Sequence, residues 1–529
     1  MNSTLRTLNI ILALIAVLII FGLGYQTGKR YDIAVDENDK YVAISYSVNE
    51  QKMRRLMSLI DNHYVNDINT DSLVDKTISF VMSNLDPHSV YLEKKVSRSM
   101  DREMKGYYVG IGIQYVIYKD TIVITHVDKN SPNIDLFKLS DRVIQVGDST
   151  VVGKAAERVG EMIQGENNSS LSLVILRDGT QKTLIAKRGV IPKASVTEYF
   201  MLNKNLGYVK ISKFVSTTAE EFSAALKQLK KEGMEELVLD LRGNPGGIMS
   251  AAEKIADEFL TENKLIVFTQ DNQGKKEFRY ATNRGSMDGR PLYVLIDEGS
   301  ASASEIIAGA IQDNDAGVII GRRSYGKGLV QREISLGDGS KLRLTTAKYF
   351  TPSGRSIQKP YLNGIEEYNR DISARYMSGE VFNKDSIKVP DSLMFKTSKG
   401  RTVYGGGGII PDEFIPIDSV GYGRWYYEHA HRNIFNTRIF EYIEHNNKSL
   451  SKIKEEHFIA FHNPKVLAEE LLAKINLVPE QFSEAEMMNF HTFIKATMAR
   501  FLYGESAYNK IWNQRDPMIN RAIELNQAD

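Results

Sequence analysis

Short apolar strands alternate with helical stretches along the middle of the chain, between about residues 190 and 416. The strands read GYVKI, ELVLDL, LIVF, YVLI and GVII, and the main helical stretches cover residues 218–231, 250–260 and 304–312. Strands that alternate with helices of about ten or more residues are typical of a layered α/β structure, in which helices pack on the faces of a sheet. We therefore expect a layered α/β core here.

Other patterns flank this core. Helical periodicity runs through residues 49–104, and alternating apolar runs broken by Gly and Asp-Gly turns predict a compact β-rich domain at residues 105–189. Residues 424–529 are rich in Glu, Lys, Leu, Ala and Phe and predict a helical accessory domain. With a core at residues 190–420, the 529-residue chain is predicted to be an α/β multidomain protein.

The composition excludes several classes of protein. Lys plus Arg total 67 against 66 for Asp plus Glu, and 42% of the residues are hydrophobic. This balance fits neither a polybasic nucleic-acid binder nor a disordered acidic chain. The chain has no cysteine, which excludes disulfides, thiolate metal sites and a cysteine nucleophile. We expect no nucleic-acid partner.

The N-terminus carries a strongly apolar run. Residues 10–23 read IILALIAVLIIFGL, preceded by Arg6 and followed by Lys29 and Arg30. This length lies between that of a signal-peptide core and that of a full membrane span, so we expect residues 1–30 to be a cleaved signal peptide or a membrane anchor. A buried core helix is the less favoured alternative, since the run is apolar on every face. Both favoured alternatives place the rest of the chain on the extracytoplasmic side, in the periplasm or cell envelope.

A serine cluster stands at a predicted strand-to-helix turn. GSASASE at residues 299–305 follows the apolar strand YVLIDE directly and opens the helical stretch EIIAGAIQ. The first amides of a helix have no internal partner, so they suit an oxyanion beside a nucleophilic serine. The alternative is simple capping, in which a serine accepts from first-turn amides and Glu305 completes a capping box. No histidine lies between His126 and His429, so a Ser-His-Asp triad within the core is excluded.

A lysine between glycines is the candidate base. Lys327 lies in SYGKGLVQ, where the backbone can pack closely around an ammonium group. Burial disfavours the charged form, and a neutral amine can take the proton of a serine. The alternative is a solvated loop lysine. Gln331 follows four positions later and can orient the amine if this segment is helical or tightly turned.

A glycine-rich turn follows another buried strand. DLRGNPGG at residues 240–247 ends in glycines whose amides can face an anion, as in an oxyanion hole. The alternative is a tight turn that needs positive φ angles. The loop has no Walker-type spacing, which argues against a phosphate cradle.

Together these motifs resemble the carboxyl-terminal processing proteases, serine peptidases that couple a PDZ domain to a Ser-Lys active site. The similarity covers about residues 85–416 and keeps the family's order of motifs: LDPHSVYL, GIGI, DLRGNPGG, SASASEI, GKGLVQ, TPSGRSI and GGGGIIPD. The resemblance implies a Clp-protease or crotonase-like layered peptidase core at residues 190–420. It also implies that residues 105–189 are an inserted PDZ domain.

The resemblance assigns roles to individual residues. In the family the lysine follows the nucleophile by 25 positions, which selects Ser302 over Ser300 and Ser304. Ser302 would be the nucleophile, Lys327 the general base and Gln331 the residue that holds the lysine. No metal and no organic cofactor are implied. The remaining implied residues are the oxyanion amides Ala303 and Gly246 and the carboxylate loop Gly110, Ile111, Gly112 and Ile113.

The resemblance also implies partners. We expect polypeptide substrates with apolar C-termini, contact with the membrane through the N-terminal segment, and possible homo-oligomers. Two rival functions remain open from the sequence alone. One is a PDZ scaffold that keeps the catalytic half only as a fold, and the other is acyl transfer to an acceptor other than water.

Overall fold

The structure is a computed structural model that describes residues 47–362, 364–417 and 433–528. The predicted signal or anchor at residues 1–30 lies outside the described residues. The chain divides into two compact units, Met1–Lys76 and Thr77–Asp529. Within the described ranges we find no helix with the length and apolar character of a membrane span.

The first unit contains helix α1 (Val48–His63) and the start of helix α2 (Thr70–Ser83). A capping box fixes the start of α1: the amide of Glu50 donates to the Ser47 hydroxyl at 3.3 Å, and the amide of Ser47 donates to the Glu50 carboxylate at 2.6 Å. No residue of α1 is buried. The cap, rather than packing, therefore sets where this helix begins.

The second unit continues with strand β1 (Val90–Leu92) and helix α3 (Lys94–Met104). A β-rich module follows. Its elements are β2 (Tyr107–Gly110), β3 (Ile113–Tyr118), β4 (Thr121–Val127), β5 (Arg142–Val146), β6 (Ser149–Thr150), α4 (Ala156–Ile163), β7 (Ser170–Arg177), β8 (Thr180–Lys187) and β9 (Gly189–Pro192). The antiparallel sheet has the order β3-β4-β5-β7-β8, β6 pairs with β5, and β2 pairs separately with β9. Alternate side chains such as Ile122 and Ile124 form the core of this module.

The middle of the chain contains two large sheets, a small two-stranded sheet and their helices. The elements are β10 (Val196–Met201), β11 (Leu206–Ile211), α5 (Thr218–Lys231), β12 (Glu236–Asp240), α6 (Met249–Asp257), β13 (Leu265–Asp271), β14 (Lys276–Tyr280), β15 (Leu292–Ile296), α7 (Ala303–Asp313), β16 (Val318–Gly321), β17 (Leu329–Ser335), β18 (Lys341–Phe350), α8 (Ile365–Met377), β19 (Met394–Lys396), β20 (Thr402–Tyr404) and β21 (Glu413–Phe414). Two 3₁₀ turns occupy Lys384–Ser386 and Asp391–Leu393.

The larger of these sheets has the order β10-β11-β12-β15-β16-β21 and is parallel from β11 onward. The other sheet is antiparallel: β18 pairs with β17, with β1 and with β13, which in turn pairs with β14. The predicted strand LIVF therefore belongs to β13 in the antiparallel sheet. The predicted mixed α/β, multidomain organisation is confirmed.

The C-terminal region is helical over its described residues. Its elements are α9 (Asn433–His445), α10 (Asn447–Leu450), α11 (Glu455–Phe461), α12 (Lys465–Lys474), α13 (Glu484–Tyr503), α14 (Glu505–Trp512) and α15 (Pro517–Ala528), with 3₁₀ turns at Pro479–Gln481 and Asn513–Arg515. Buried side chains of α9 to α14, including Phe435, Phe458 and Phe490, form one apolar cluster.

The parallel sheet is buried on both faces. Leu239 and Val294 point to the core that helices α5, α6 and α7 cover. The neighbouring residues Val238 and Leu295 point to the opposite face, where Met518 and Ile519 of α15 pack. Side chains alternate along a strand, so a sheet with apolar residues at every position needs cover on each face. The last helix of the chain provides that cover.

We expect Ile519→Ala to destabilise the second unit, since Ile519 is fully buried against the sheet. Truncating a buried isoleucine to alanine costs about 2–5 kcal/mol. The melting temperature of the full chain, followed by circular dichroism, should fall by several degrees. Gln527→Ala, at an exposed position of the same helix, is the matched control. Equal melting temperatures for the two variants would contradict this role of α15.

Candidate active site

The structure gives the three serines of the SASASE cluster different environments. The hydroxyl of Ser300 donates to the Leu241 carbonyl at 2.8 Å, and that of Ser304 donates to the Asn244 carbonyl at 2.9 Å. Both serines are fully buried. Ser302, in contrast, lines a cavity of about 610 Å³. Ser300 and Ser304 therefore stabilise the turn, whereas Ser302 is accessible to a substrate.

The backbone at Ser302 is strained. Its φ angle is +55°, in the left-handed region that residues other than glycine seldom adopt. Ser302 is the residue that caps α7, a few positions beyond the end of β15 at Ile296. Strain of this kind persists only where surrounding contacts hold it, and it is concentrated at functional sites. Here it presents a hydroxyl at the tip of a strand-to-helix turn.

The cavity at Ser302 brings together several of the predicted residues. Lys327, Gln331 and Gly246 line it with Ser302. The lining is partly apolar and carries charges of both signs. The other lining residues include Met100, Met104, Met249, Ile306, Leu329, Tyr349, Asp101, Lys105, Lys213, Glu333 and Arg343.

A buried carboxylate joins the serine turn to the lysine loop. Glu305 accepts hydrogen bonds from the amides of Ser302 (2.8 Å) and Lys327 (2.9 Å). It also accepts from the Gly326 amide (2.7 Å) and the Ser324 hydroxyl (2.6 Å). Burial raises the pKa of Glu305, while these four donors act in the opposite direction. The sequence suggested only a capping role for this residue.

Tyr349 supports the same two segments and was not predicted. Its hydroxyl lies 3.0 Å from the carbonyl oxygen of Ser302 and 2.5 Å from that of Lys327. Tyr349 belongs to β18 and is almost fully buried, so the antiparallel sheet forms one wall of the site. Nothing in the local sequence distinguishes Tyr349 from other strand tyrosines.

The amine of Lys327 is largely withdrawn from water. Burial and, to a smaller extent, the neighbouring cation of Arg343 lower the pKa of Lys327 from 10.5 to about 8. Glu305 and Asp86 act in the opposite direction. An amine with this pKa is uncharged in a substantial fraction of molecules near pH 8, as a general base requires. The sequence signals for Lys327 are its position between two glycines and its spacing of 25 positions from Ser302.

Gln331 reaches the cavity by a different route from the one predicted. The expected helix or tight turn is absent, because residues 329–335 form strand β17. The register of β17 against β18 shifts between Val330 and Gln331, which places Gln331 opposite Thr345. Such a bulge redirects the side chains of a strand. Both Gln331 and Lys327 line the cavity in this arrangement.

The glycine-rich turn lies directly against the nucleophile. A β-carbon added to Gly246, whose φ is +96°, would lie 2.7 Å from the Ser302 β-carbon and 2.9 Å from the Ala303 amide nitrogen. Only glycine leaves this space open. The amide of Gly246 itself donates to the Asn244 side chain at 2.9 Å.

Comparison with known proteins gives a consistent result. The family model described as Peptidase family S41 matches residues 205–367, which include all four predicted residues of the cavity. The carboxy-terminal processing protease CtpB of Bacillus subtilis is 35% identical over 345 residues, or 64% of this chain and 71% of the relative. The chain belongs to the carboxy-terminal processing protease family. These proteins are serine-type peptidases.

Two further matches are similar to this chain. The carboxy-terminal-processing protease of Bartonella bacilliformis is 33% identical over 307 residues, which cover 56% of this chain and 70% of that protein. A solved structure of the photosystem II D1 C-terminal processing protease is 24% identical, with a TM-score of 0.37, and the match covers 70% of this chain and 89% of that one.

The predicted carboxylate-binding loop, residues 110–113, lies apart from the cavity at Ser302. None of residues 110–113 lines that cavity. The Ile111 carbonyl accepts hydrogen bonds from the Ser131 hydroxyl (2.7 Å) and the Asn133 amide group (3.0 Å). A β-carbon on Gly112, whose φ is +71°, would lie 2.5 Å from that of Ser131. The loop is therefore held in one conformation by buried contacts.

We expect Lys327 to react with amine-directed reagents at a lower pH than ordinary lysines of this protease. Below about pH 8 its amine is protonated and unreactive, and above it the amine is free, whereas an ordinary lysine titrates near 10.5. Brief labelling with an acylating reagent across pH 6–11, read by peptide mass spectrometry, measures the midpoint. Arg343→Gln should raise the midpoint because it removes a neighbouring cation. A midpoint near that of the bulk lysines would contradict the withdrawn environment.

Proposed function

We propose that this protein is a serine endopeptidase that recognises polypeptide C-terminal tails and cleaves through a Ser-Lys acyl-enzyme mechanism. One observation carries the proposal. Ser302 and the desolvated amine of Lys327 line the same cavity, beside the Ala303 amide at the start of α7. A hydroxyl, a neutral base and a helix N-terminus are the parts that acyl transfer needs.

Acylation follows from these parts. The Ser302 oxygen attacks the scissile carbonyl carbon, and its proton passes to the Lys327 amine, which becomes an ammonium group. When the tetrahedral intermediate collapses, the bond to the leaving nitrogen breaks and Lys327 returns the proton to that nitrogen. A water molecule then attacks the Ser302 ester with Lys327 again as the base, and this step releases the acid product and restores the hydroxyl.

The oxyanion is proposed to bind at the turn between α7 and the glycine-rich loop. The Ala303 amide is the first of the helix, and among the described residues no hydrogen bond of the fold uses it. Gly246 is predicted as the second donor, and its amide would have to exchange its bond to Asn244 for the substrate. Gly247, the next residue of the turn, lines the same cavity and supplies another amide.

We expect Ser302→Ala and Lys327→Ala each to lower the cleavage rate of an unstructured, apolar-tailed polypeptide by at least about 1,000-fold, since each removes a reacting group. Cleavage is measured by gel or mass spectrometry on the purified full chain, and unchanged melting temperatures establish that the fold is kept. Lys348→Ala, at an exposed lysine of β18, is the control for the loss of an amine. Turnover retained by either catalytic variant would refute the Ser-Lys assignment.

Tail recognition is proposed for residues 110–113 and the adjoining strand β3. The carbonyl of Ile111 points to Ser131 and Asn133, and a trans peptide plane then points the Gly112 amide the opposite way. The carbonyl of Gly112 accepts from the Asp128 amide at 2.8 Å, which turns the Ile113 amide outward in the same manner. Two successive amides are thus available to a terminal carboxylate.

The sheet of the β-rich module supports the same proposal. β3 is an edge strand, since among the described strands it pairs only with β4. An extended peptide can add to such an edge while its carboxylate binds the loop amides at the end of the strand. Helix α4 lies alongside, where Tyr115 of β3 donates to the Ala156 carbonyl at 3.0 Å. We therefore propose that residues 105–189 form a PDZ domain.

Amidating the terminal carboxylate of a tail peptide should weaken its binding by about 10- to 100-fold, because charge-assisted hydrogen bonds to the loop amides are lost. Affinity is measured by calorimetry on the inactive Ser302→Ala protein, so that no cleavage occurs. A peptide with its terminal carboxylate intact and its last residue changed to aspartate tests the proposed preference for apolar tails. Equal affinity for the acid and the amide would remove the tail-recognition proposal.

The remaining parts of the proposal concern location and architecture. The apolar run at residues 10–23 supports an extracytoplasmic enzyme that is either secreted or anchored in the membrane by this segment. The parallel sheet with helices on both faces is compatible with a Clp-protease or crotonase-like peptidase core. Assembly into homo-oligomers stays a prediction.

A further inference from the structure

The motif LDPHSVYL at residues 85–92 has no role in the mechanism above, yet it lies next to the proposed base. Strand β1, which ends the motif, pairs with β18, and β18 pairs on its other edge with β17. Val90 is opposite Arg343, and Thr345 is opposite Gln331. The motif therefore lies one strand away from the residue proposed to hold Lys327.

The Asp86 carboxylate accepts four hydrogen bonds from three residues, His88, Ser89 and Thr345. One oxygen accepts from the amides of His88 (2.9 Å) and Ser89 (3.0 Å) and from the Thr345 hydroxyl (3.0 Å). The other accepts from the Ser89 hydroxyl at 2.5 Å. Burial raises the pKa of Asp86, but these donors outweigh it and the pKa lies below the usual 3.8. Asp86 is thus an ionised acceptor.

This acceptor oxygen fixes the direction of the next hydrogen bond. A hydroxyl has a single proton, so Thr345 gives its proton to Asp86 and can only accept from its other neighbour. That neighbour is the side chain of Gln331, whose amide nitrogen lies 3.3 Å from the Thr345 hydroxyl. The two ends of an amide differ in hydrogen bonding, and this contact selects the nitrogen end for Thr345.

We propose that Asp86 and Thr345 are positioning residues that orient the Gln331 amide so that its carbonyl oxygen faces the Lys327 amine. The inference rests on the proposed function, in which Lys327 is the base. An oxygen on that side accepts an N–H of Lys327 and turns the nitrogen lone pair toward Ser302. With the amide reversed, the NH₂ group would instead compete with the serine for that lone pair.

The orientation of the Gln331 amide also affects the pH at which Lys327 loses its proton. A carbonyl acceptor stabilises the ammonium form, so its loss should lower the pH at which the amine becomes free. The charged groups that act on Lys327 are Arg343, Glu305 and Asp86. His88 also lies near Lys327, and burial followed by the Lys327 charge lowers the pKa of His88 to about 4, so it stays neutral where the enzyme would work.

Four variants of the full chain test the proposal at different atoms. Thr345→Val removes the Thr345 hydroxyl. Asp86→Ala removes its acceptor, so that the Thr345 hydroxyl proton can turn toward Gln331. Thr345→Ser keeps the hydroxyl, and Asp86→Asn keeps an acceptor oxygen. Both variants therefore preserve the hydrogen bonds from Gln331 to Thr345 and from Thr345 to residue 86. Thr346→Val, at the next position of the same strand, is the matched control. The measurement is kcat/KM for tail-bearing polypeptide cleavage as a function of pH.

We expect Thr345→Val and Asp86→Ala to lower the plateau of kcat/KM by about five- to tenfold, the effect of losing one hydrogen bond. In Thr345→Val the midpoint of the pH profile should also move to lower pH, which a purely structural role would not cause. Thr345→Ser, Asp86→Asn and Thr346→Val should keep the plateau within about twofold of the parent, below the loss expected for one hydrogen bond.

Two results would overturn the proposal. One is a plateau and midpoint in Thr345→Val equal to those of Thr346→Val. The other is an equal loss in Asp86→Asn and Asp86→Ala, because charge alone would then account for the effect. The Ser302→Ala variant separates these failures from failure of the proposed function. If Ser302→Ala is active, the Ser-Lys mechanism itself is refuted. If it is inactive, the mechanism stands and only the role of the positioning residues is refuted.

Discussion

The buried carboxylate of Glu305 is the contact on which the candidate active site depends. It joins two segments that are far apart in the chain, the turn at Ser302 and the loop at Lys327, through hydrogen bonds to both amides. Among the described residues, the four hydrogen-bond partners of Glu305 all donate a proton to it. The Ser324 hydroxyl does so because it accepts from the Ile409 amide. These donors favour the ionised form, against the burial that raises the pKa of Glu305. Removing the carboxylate would leave several buried donors without a partner.

Burial disfavours the charged form of both the base and this carboxylate, but four hydrogen-bond donors oppose that effect at Glu305. The cavity wall withdraws Lys327 from water and thereby lowers the pKa of Lys327, which favours a neutral amine. The same low polarity strengthens each hydrogen bond to Glu305, so the segments that carry the nucleophile and the base hold their positions. Desolvation of the lysine is chemically useful only because the carboxylate is satisfied by amides and a hydroxyl rather than by the lysine ammonium itself.

Much of the fold followed from local pattern, because the parallel sheet and its helices obey simple periodicity. Helix α5 (Thr218–Lys231) has the predicted bounds, and α6 and α7 differ by one to three residues at their ends. The antiparallel sheet could not be predicted from local pattern. The sequence of β13 resembles that of any buried strand, and only its pairing with the distant strand β18 assigns it to this sheet. Within the site, Ser302 and Lys327 could be named from motifs, whereas Tyr349 and the bulge before Gln331 depend on long-range packing.

The C-terminal helices illustrate why a region without recognisable chemistry can still matter for a catalytic centre. Asp516, just before α15, pairs at 2.5 Å with Arg242 of the glycine-rich turn, which also binds the fully buried Asp240. At the other end of this region, Glu441 of α9 accepts from the Tyr118 hydroxyl at 2.6 Å on the β-rich module. The same helical region thus contacts both the turn beside Ser302 and the module proposed to read substrate tails. If the helical region moves as one body, movement of the module relative to the turn has to break one of these two contacts.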